Sequence, residues 1–139
     1  MTAILVNTPE VWGDDFPFSQ AVVEPAGRRV HLTGQVAWDP SMTVIGENDP
    51  TAQTDFALDN IEKVLAAIGG TLDDIVSTTL FYVRQDDLPA IREVRERRMP
   101  ARGATTSTAV RVASLVDERL LVEIAVIAVV PDERFRQPD

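Results

Sequence analysis

Glu123 interrupts an apolar stretch of eleven residues, Leu120 to Val130. Read as a strand, that stretch places Leu120, Val122, Ile124, Val126, Ala128 and Val130 on one side. Leu121, Glu123, Ala125, Ile127 and Val129 fall on the other. A carboxylate on an apolar face is costly unless it is paired or used. Two readings are open. Glu123 is used in a functional site, or it pairs with an arginine across a contact between subunits. The other polar candidates are weaker. His31, beside Arg28 and Arg29, reads as a hydrogen-bonded structural histidine. Arg92, Arg95, Arg97, Arg98 and Arg102 could grip a phosphate or RNA. Glu93 and Glu96 are interleaved with them, so a solvated helix face is the preferred reading.

Composition removes many chemistries. The chain has 139 residues and no cysteine, which excludes disulfides, thiolate metal sites and a Cys nucleophile. It has one histidine and one lysine, Lys63. No phosphate loop, dinucleotide fingerprint or metal-ligand cluster appears, so no cofactor is expected. The net charge of −9 opposes a polyanionic partner, and nucleic-acid binding is not expected. The N-terminus does not read as a secretion signal, and the longest apolar run is too short for a membrane helix. A cytoplasmic protein without a membrane partner is the expectation.

The elements that must position Glu123 are legible from pattern. One domain over 1–139 is expected, with irregular flanks at 1–17 and 131–139. Residues 18–24 and 29–36 read as strands joined in a hairpin through Pro25, Ala26 and Gly27. Residues 50–68 read as a helix, capped by Asp49, started by Pro50 and stopped by Gly69-Gly70. Its apolar stripe is Ala52, Phe56, Ile61, Val64, Leu65 and Ile68. Strands are expected at 75–83, 106–114 and 120–130, and a second helix at 88–98 with Leu88, Ile91 and Val94 inward. The order β-β-α-β-α-β-β fits an α+β layer, one mixed sheet with two helices on one face. Two helices cover one face of such a sheet. The last strand is apolar on both, so another subunit is expected on the second.

Several segments then resemble the YjgF/RidA family of reactive-intermediate deaminases. Phe16-Pro17-Phe18-Ser19-Gln20-Ala21 is similar to its Gly-Pro-Tyr-Ser-Gln-Ala segment. Leu32-Thr33-Gly34-Gln35-Val36 resembles Val-Ser-Gly-Gln-Ile. Ala52-Gln53-Thr54, Asn60-Ile61 and Leu65-Ala66-Ala67-Ile68-Gly69 resemble its first helix. Leu72-Asp73-Asp74-Ile75-Val76, Thr78-Thr79-Leu80-Phe81 and Val122-Glu123-Ile124-Ala125 complete the series. The resemblance covers residues 16 to 130.

The resemblance implies a chorismate-mutase-like α+β fold and a homotrimer with ligand clefts at the subunit boundaries. It implies cofactor-independent hydrolysis of small enamines or imines, with Glu123 positioning water. A metabolite-binding trimer without turnover, and an RNA-binding or ribonuclease-type translation inhibitor, are the alternatives. Phe18, Thr33, Gly34 and Asp86 fall on substrate-binding positions, Phe18 where the family has Tyr and Asp86 where it has Asn. The family Arg that grips a substrate carboxylate is contested here. Pro100-Ala101-Arg102 spells its motif, but counting back from Val110-Arg111-Val112-Ala113 puts Ser107 at its place. With Ser107 there, the implied substrate is uncharged or less anionic at that end.

Overall fold

A computed structural model of the protein describes residues 2–99 and 104–139. Arg102 lies outside the described residues. Six strands and two helices follow in order: β1 (Ile4–Val6), β2 (Ala21–Val23), β3 (Arg28–His31), α1 (Pro50–Ala66), β4 (Ile75–Tyr82), α2 (Leu88–Arg98), β5 (Thr106–Arg111) and β6 (Val122–Val130). The class is the expected α+β, with two helices and a mixed sheet. That sheet runs β3-β6-β4-β5. β6 is antiparallel to both β3 and β4, while β4 and β5 are parallel and joined through α2.

The helices begin and end where local chemistry dictates. The Asp49 carboxylate accepts a hydrogen bond from the Ala52 N–H at 3.0 Å, and Pro50 occupies the first turn. At the other end Gly69 takes φ of +83°, which a side chain would strain. Its N–H and that of Gly70 return to the carbonyls of Ala66 and Leu65, a Schellman pair. The buried face of α1 is rotated from the expected stripe. Gln53, Thr54, Ala57, Leu58, Ile61 and Leu65 are buried, and Val64 is exposed.

Gln53 explains the rotation. Its Nε2 donates to the carbonyls of Gly46 and Arg119 at 3.2 and 2.9 Å. Its Oε1 accepts from the Leu121 N–H at 2.8 Å. One fully buried amide thus ties the loops before α1 and β6 to the helix, and satisfies backbone groups that water cannot reach.

The N-terminal region departs from expectation. No hairpin joins β2 to β3. β2 pairs antiparallel with β1 in a separate two-stranded sheet, and β3 pairs with β6. The reason lies at the joint. Pro25 has no N–H to give a ladder. Gly27, at φ of +147°, packs so close to Val130 that a Cβ would sit 2.6 Å from the Val130 carbonyl oxygen. The flank 1–17 therefore carries a strand and is anchored.

Burial along β6 alternates as far as Ile127. Val122, Ile124, Val126 and Ala128 are buried under the helices, and Glu123, Ala125 and Ile127 are half-exposed on the other side. Ser77, Thr79 and Phe81 of β4 share that uncovered side by register. The sheet face away from the helices is bare in the single chain.

Gln53→Leu keeps the volume and removes the amide. Three backbone groups lose a partner, so the variant should be less stable by about 3 kcal/mol. Urea unfolding measures the change, and a near-neutral result would show that water replaces the amide.

Candidate functional site

A cavity of about 670 Å³ opens along β5, the edge strand of the mixed sheet. Its outer wall is the irregular chain between β1 and β2. That wall is organised by one side chain. Gln20 Oε1 accepts from the Thr8 N–H, and Gln20 Nε2 donates to the carbonyls of Thr8, Val11 and Trp12. Asn7 returns the support, its Oδ1 accepting from the Gln20 N–H and its Nδ2 donating to Ser19 Oγ. Trp12 and Phe16 meet edge to face at 5.9 Å on the rim, and Trp12 is 79% exposed.

The inner wall joins β5 to α2. Ser107 and Ala109 of β5 lie beside Thr78 and Leu80 of β4, on the helix side of the sheet. Across from them stands Arg95 of α2, only 4% exposed. Its Nη2 donates to Ser107 Oγ at 3.0 Å, and its guanidinium carbon lies 4.7 Å from the centre of the Phe18 ring. Its Nε has no hydrogen-bond partner, and no carboxylate pairs with it among the described residues. Burial, with Arg92 as a like-charged neighbour, pushes its pKa down to about 10. The group therefore stays charged at neutral pH.

Arg95 does not belong to a solvated face, as the interleaved charges suggested. Leu88, Ile91 and Arg95 are spaced i, i+3, i+7, which puts the arginine on the buried stripe. That spacing was the available signal. Its neighbours behave otherwise. Arg97 pairs with Asp55 and Glu93, and Arg98 reaches Asp55, Asp59 and Glu62.

Glu123 occupies a different place. It stands on the bare face of β6 opposite Phe81, half-buried, with no hydrogen-bond or ion-pair partner among the described residues. Gly34 lies directly beneath it. A Cβ on Gly34 would overlap the Glu123 carboxylate. The approach is held by reciprocal bonds between Gln35 and Ile124, N–H to carbonyl at 2.8 and 2.9 Å. Gly34 is thus needed as glycine for space. Thr33 is exposed next to it. Glu123 and Arg95 lie on opposite faces of the sheet, so one chain alone does not gather the candidates into one cleft.

A family model described as endoribonuclease L-PSP matches residues 14–130. The chain belongs to this family, the YjgF/RidA family. Protein DfrA of Myxococcus xanthus is 34% identical over 113 residues, 81% of this chain and 85% of that protein. The Rid family protein YyfB of Yersinia pestis has 30% identity and a TM-score of 0.77, covering 94% of this chain and all of that one. RidA of a Psychrobacter species from Antarctica has 27% identity and a TM-score of 0.68, covering 94% and 99%. RidA-type small-molecule binding is the general role that membership supports.

Among the remaining candidates, Phe18 and Ser107 line the cavity and touch Arg95. Asp86 is exposed on the turn before α2, where its charge acts on Arg84. His31 is exposed on β3, and its side chain makes no hydrogen bond among the described residues, unlike the bonded structural histidine expected. No group of His, Asp and Glu able to hold a metal occurs among the described residues. No helix among them is long and apolar enough to cross a membrane.

Gly34→Ala tests the seat of Glu123. The overlap falls on the far end of a flexible side chain, which can swing away. Stability should fall by no more than about 1 kcal/mol, while the carboxylate leaves its position in a crystal structure. A loss above about 3 kcal/mol would show instead that the side chain is locked.

Proposed function

We propose that the protein is a cofactor-independent hydrolase of a small enamine or imine, working in a cleft between subunits of a homotrimer, with Glu123 as the water-holding base. The observation that carries this reading is the unpartnered Glu123 carboxylate on the bare sheet face, seated over Gly34. An apolar residue there would cost the chain less, so the carboxylate is kept for use. The alternative is an ion pair with an arginine of a neighbouring subunit, and the stability of Glu123→Gln separates the two.

The chemistry asks little of the protein. An imine carbon is already electrophilic, and an enamine becomes an imine by taking a proton on carbon and giving one up from nitrogen. Glu123 accepts a proton from water as the oxygen bonds to that carbon, and the proton passes to nitrogen. The carbinolamine then loses ammonia and leaves a carbonyl compound. The fixed carboxylate holds the water in line, which is where the rate gain arises.

The bare face supports the assembly. Ala125, Ile127 and Phe81 stay half-exposed in one chain, and a second copy would cover them. Reading the family description literally, as RNA cleavage, is disfavoured. The net charge of −9 repels a polyanion, and Arg84, Arg97, Arg98, Arg119 and Arg134 are each engaged by carboxylates.

Ammonia release from 2-iminopropionate or 2-aminoacrylate, generated in situ by a dehydratase, tests turnover. Glu123→Gln should abolish it and leave the melting temperature unchanged or higher. A destabilised variant whose folded fraction keeps normal specific activity would sink the assignment. Sedimentation equilibrium should give about three times the 15.3 kDa chain mass. A monomer at micromolar concentration would remove the subunit cleft.

A further inference from the structure

We infer that Arg95, delivered from helix α2, is the group that receives the carboxylate of the ligand, so that the ligand is a small organic anion. This rests on the proposed small-molecule cleft, and it reverses the expectation that Ser107 at the family's Arg position implies a less anionic ligand. Ser107 does not replace a cation. It accepts a hydrogen bond from one and helps to aim it.

Four observations combine. First, Arg95 has five N–H donors and makes one side-chain hydrogen bond among the described residues, to Ser107 Oγ. Second, it is almost fully buried without a carboxylate, in a chain with 22 acidic residues. An unpaired buried charge is expensive, and nothing in the local sequence compels one. Third, the Phe18 ring lies against one face of the guanidinium. The ring holds the plane and leaves the edges as the donors available to a ligand. Fourth, the arginine lines a cavity of about 670 Å³, large enough for a small metabolite.

The lining describes the rest of the ligand. Leu80, Leu88 and Phe18 offer apolar surface, while Arg92 adds a second positive charge. A planar carboxylate on a short carbon chain fits this combination, because a guanidinium edge matches two carboxylate oxygens.

Calorimetric titration of the assembled protein at pH 7 provides the test. The probes are pyruvate, its neutral isostere pyruvamide, and inorganic phosphate. Pyruvate should bind at least about tenfold more tightly than pyruvamide, and Arg95→Gln should erase that ratio, as expected when one charge-assisted contact is lost. Arg92→Gln, an exposed change that preserves the fold, should weaken pyruvate and leave pyruvamide alone. It serves if Arg95→Gln does not fold. Equal binding of pyruvate and pyruvamide by the natural chain overturns the inference. So does a ratio that survives Arg95→Gln, or a preference for phosphate over pyruvate. If Arg95→Gln splits the assembly and leaves pyruvate affinity intact, Arg95 pairs with a partner subunit's carboxylate and the inference fails. The outcome is separable from the hydrolase reading. Charge-dependent binding without ammonia release removes only the hydrolase, and ammonia release without charge discrimination removes only the role of Arg95.

Discussion

β6 sets the terms for the molecule because it is apolar on both faces and lies between β3 and β4 in the mixed sheet. Helices α1 and α2 bury Val122, Ile124, Val126 and Ala128, which form the main core with Leu58, Ile61, Leu65, Leu80 and Ile91. Burial of that size is the main source of stability in a chain this short. The same strand leaves Ala125 and Ile127 with nothing above them. A sheet that stabilises the monomer on one side therefore leaves an apolar strip open on the other, and the proposed assembly rests on that strip. Glu123 sits at that boundary, and its position makes assembly and chemistry parts of one question.

The β-α-β unit adjacent to it builds the cavity that Arg95 lines. β4 passes through the core, α2 crosses back, and β5 returns parallel as the sheet edge. An edge strand has one side without a ladder partner, so the segment from Thr8 to Gln20 can close over it. That segment has little regular structure, yet its backbone groups are answered by the Gln20 and Asn7 side chains. The result is a concave wall fixed by side-chain hydrogen bonds. Such a wall tolerates changes in its exposed residues, Trp12 and Phe16 among them, without loss of the strand behind it.

Elements with strong local signals were legible in the sequence. The Asp49-Pro50 start, the Gly69-Gly70 stop, α2 and the two-faced β6 all follow from caps and periodicity, which act over a few residues. The missing β2–β3 hairpin was not legible. Pro25 and Gly27 signal a turn equally well whether the two strands pair or part, and only the contact of Gly27 with Val130 decides. Gln53 and Thr54 are buried yet fall outside the apolar stripe, because a stripe drawn from hydropathy counts polarity as exposure. The backbone carbonyls and N–H that Gln53 answers belong to residues far along the chain, which no local pattern reports. The seat of Glu123 over Gly34 was visible only as two motifs, since their contact runs across the sheet.

Arg95 shows how charge can mislead in the other direction. Arg92, Arg97 and Arg98 share its helix and meet solvent or carboxylates, so composition assigns all four to one face. Helical geometry separates them, because Leu88, Ile91 and Arg95 recur on one stripe. The energetic consequence differs sharply between the two environments. A surface ion pair such as Arg97 with Glu93 is screened by water, and its loss would scarcely be felt. A buried guanidinium without a counter-ion opposes folding, and its pKa is pushed down to about 10 for that reason. The chain carries a large acidic excess and spends none of it at Arg95. A carboxylate placed there by the chain would stabilise the fold and fill the place a ligand needs. Leaving it out keeps the cation available, at a cost in stability that a bound anion offsets.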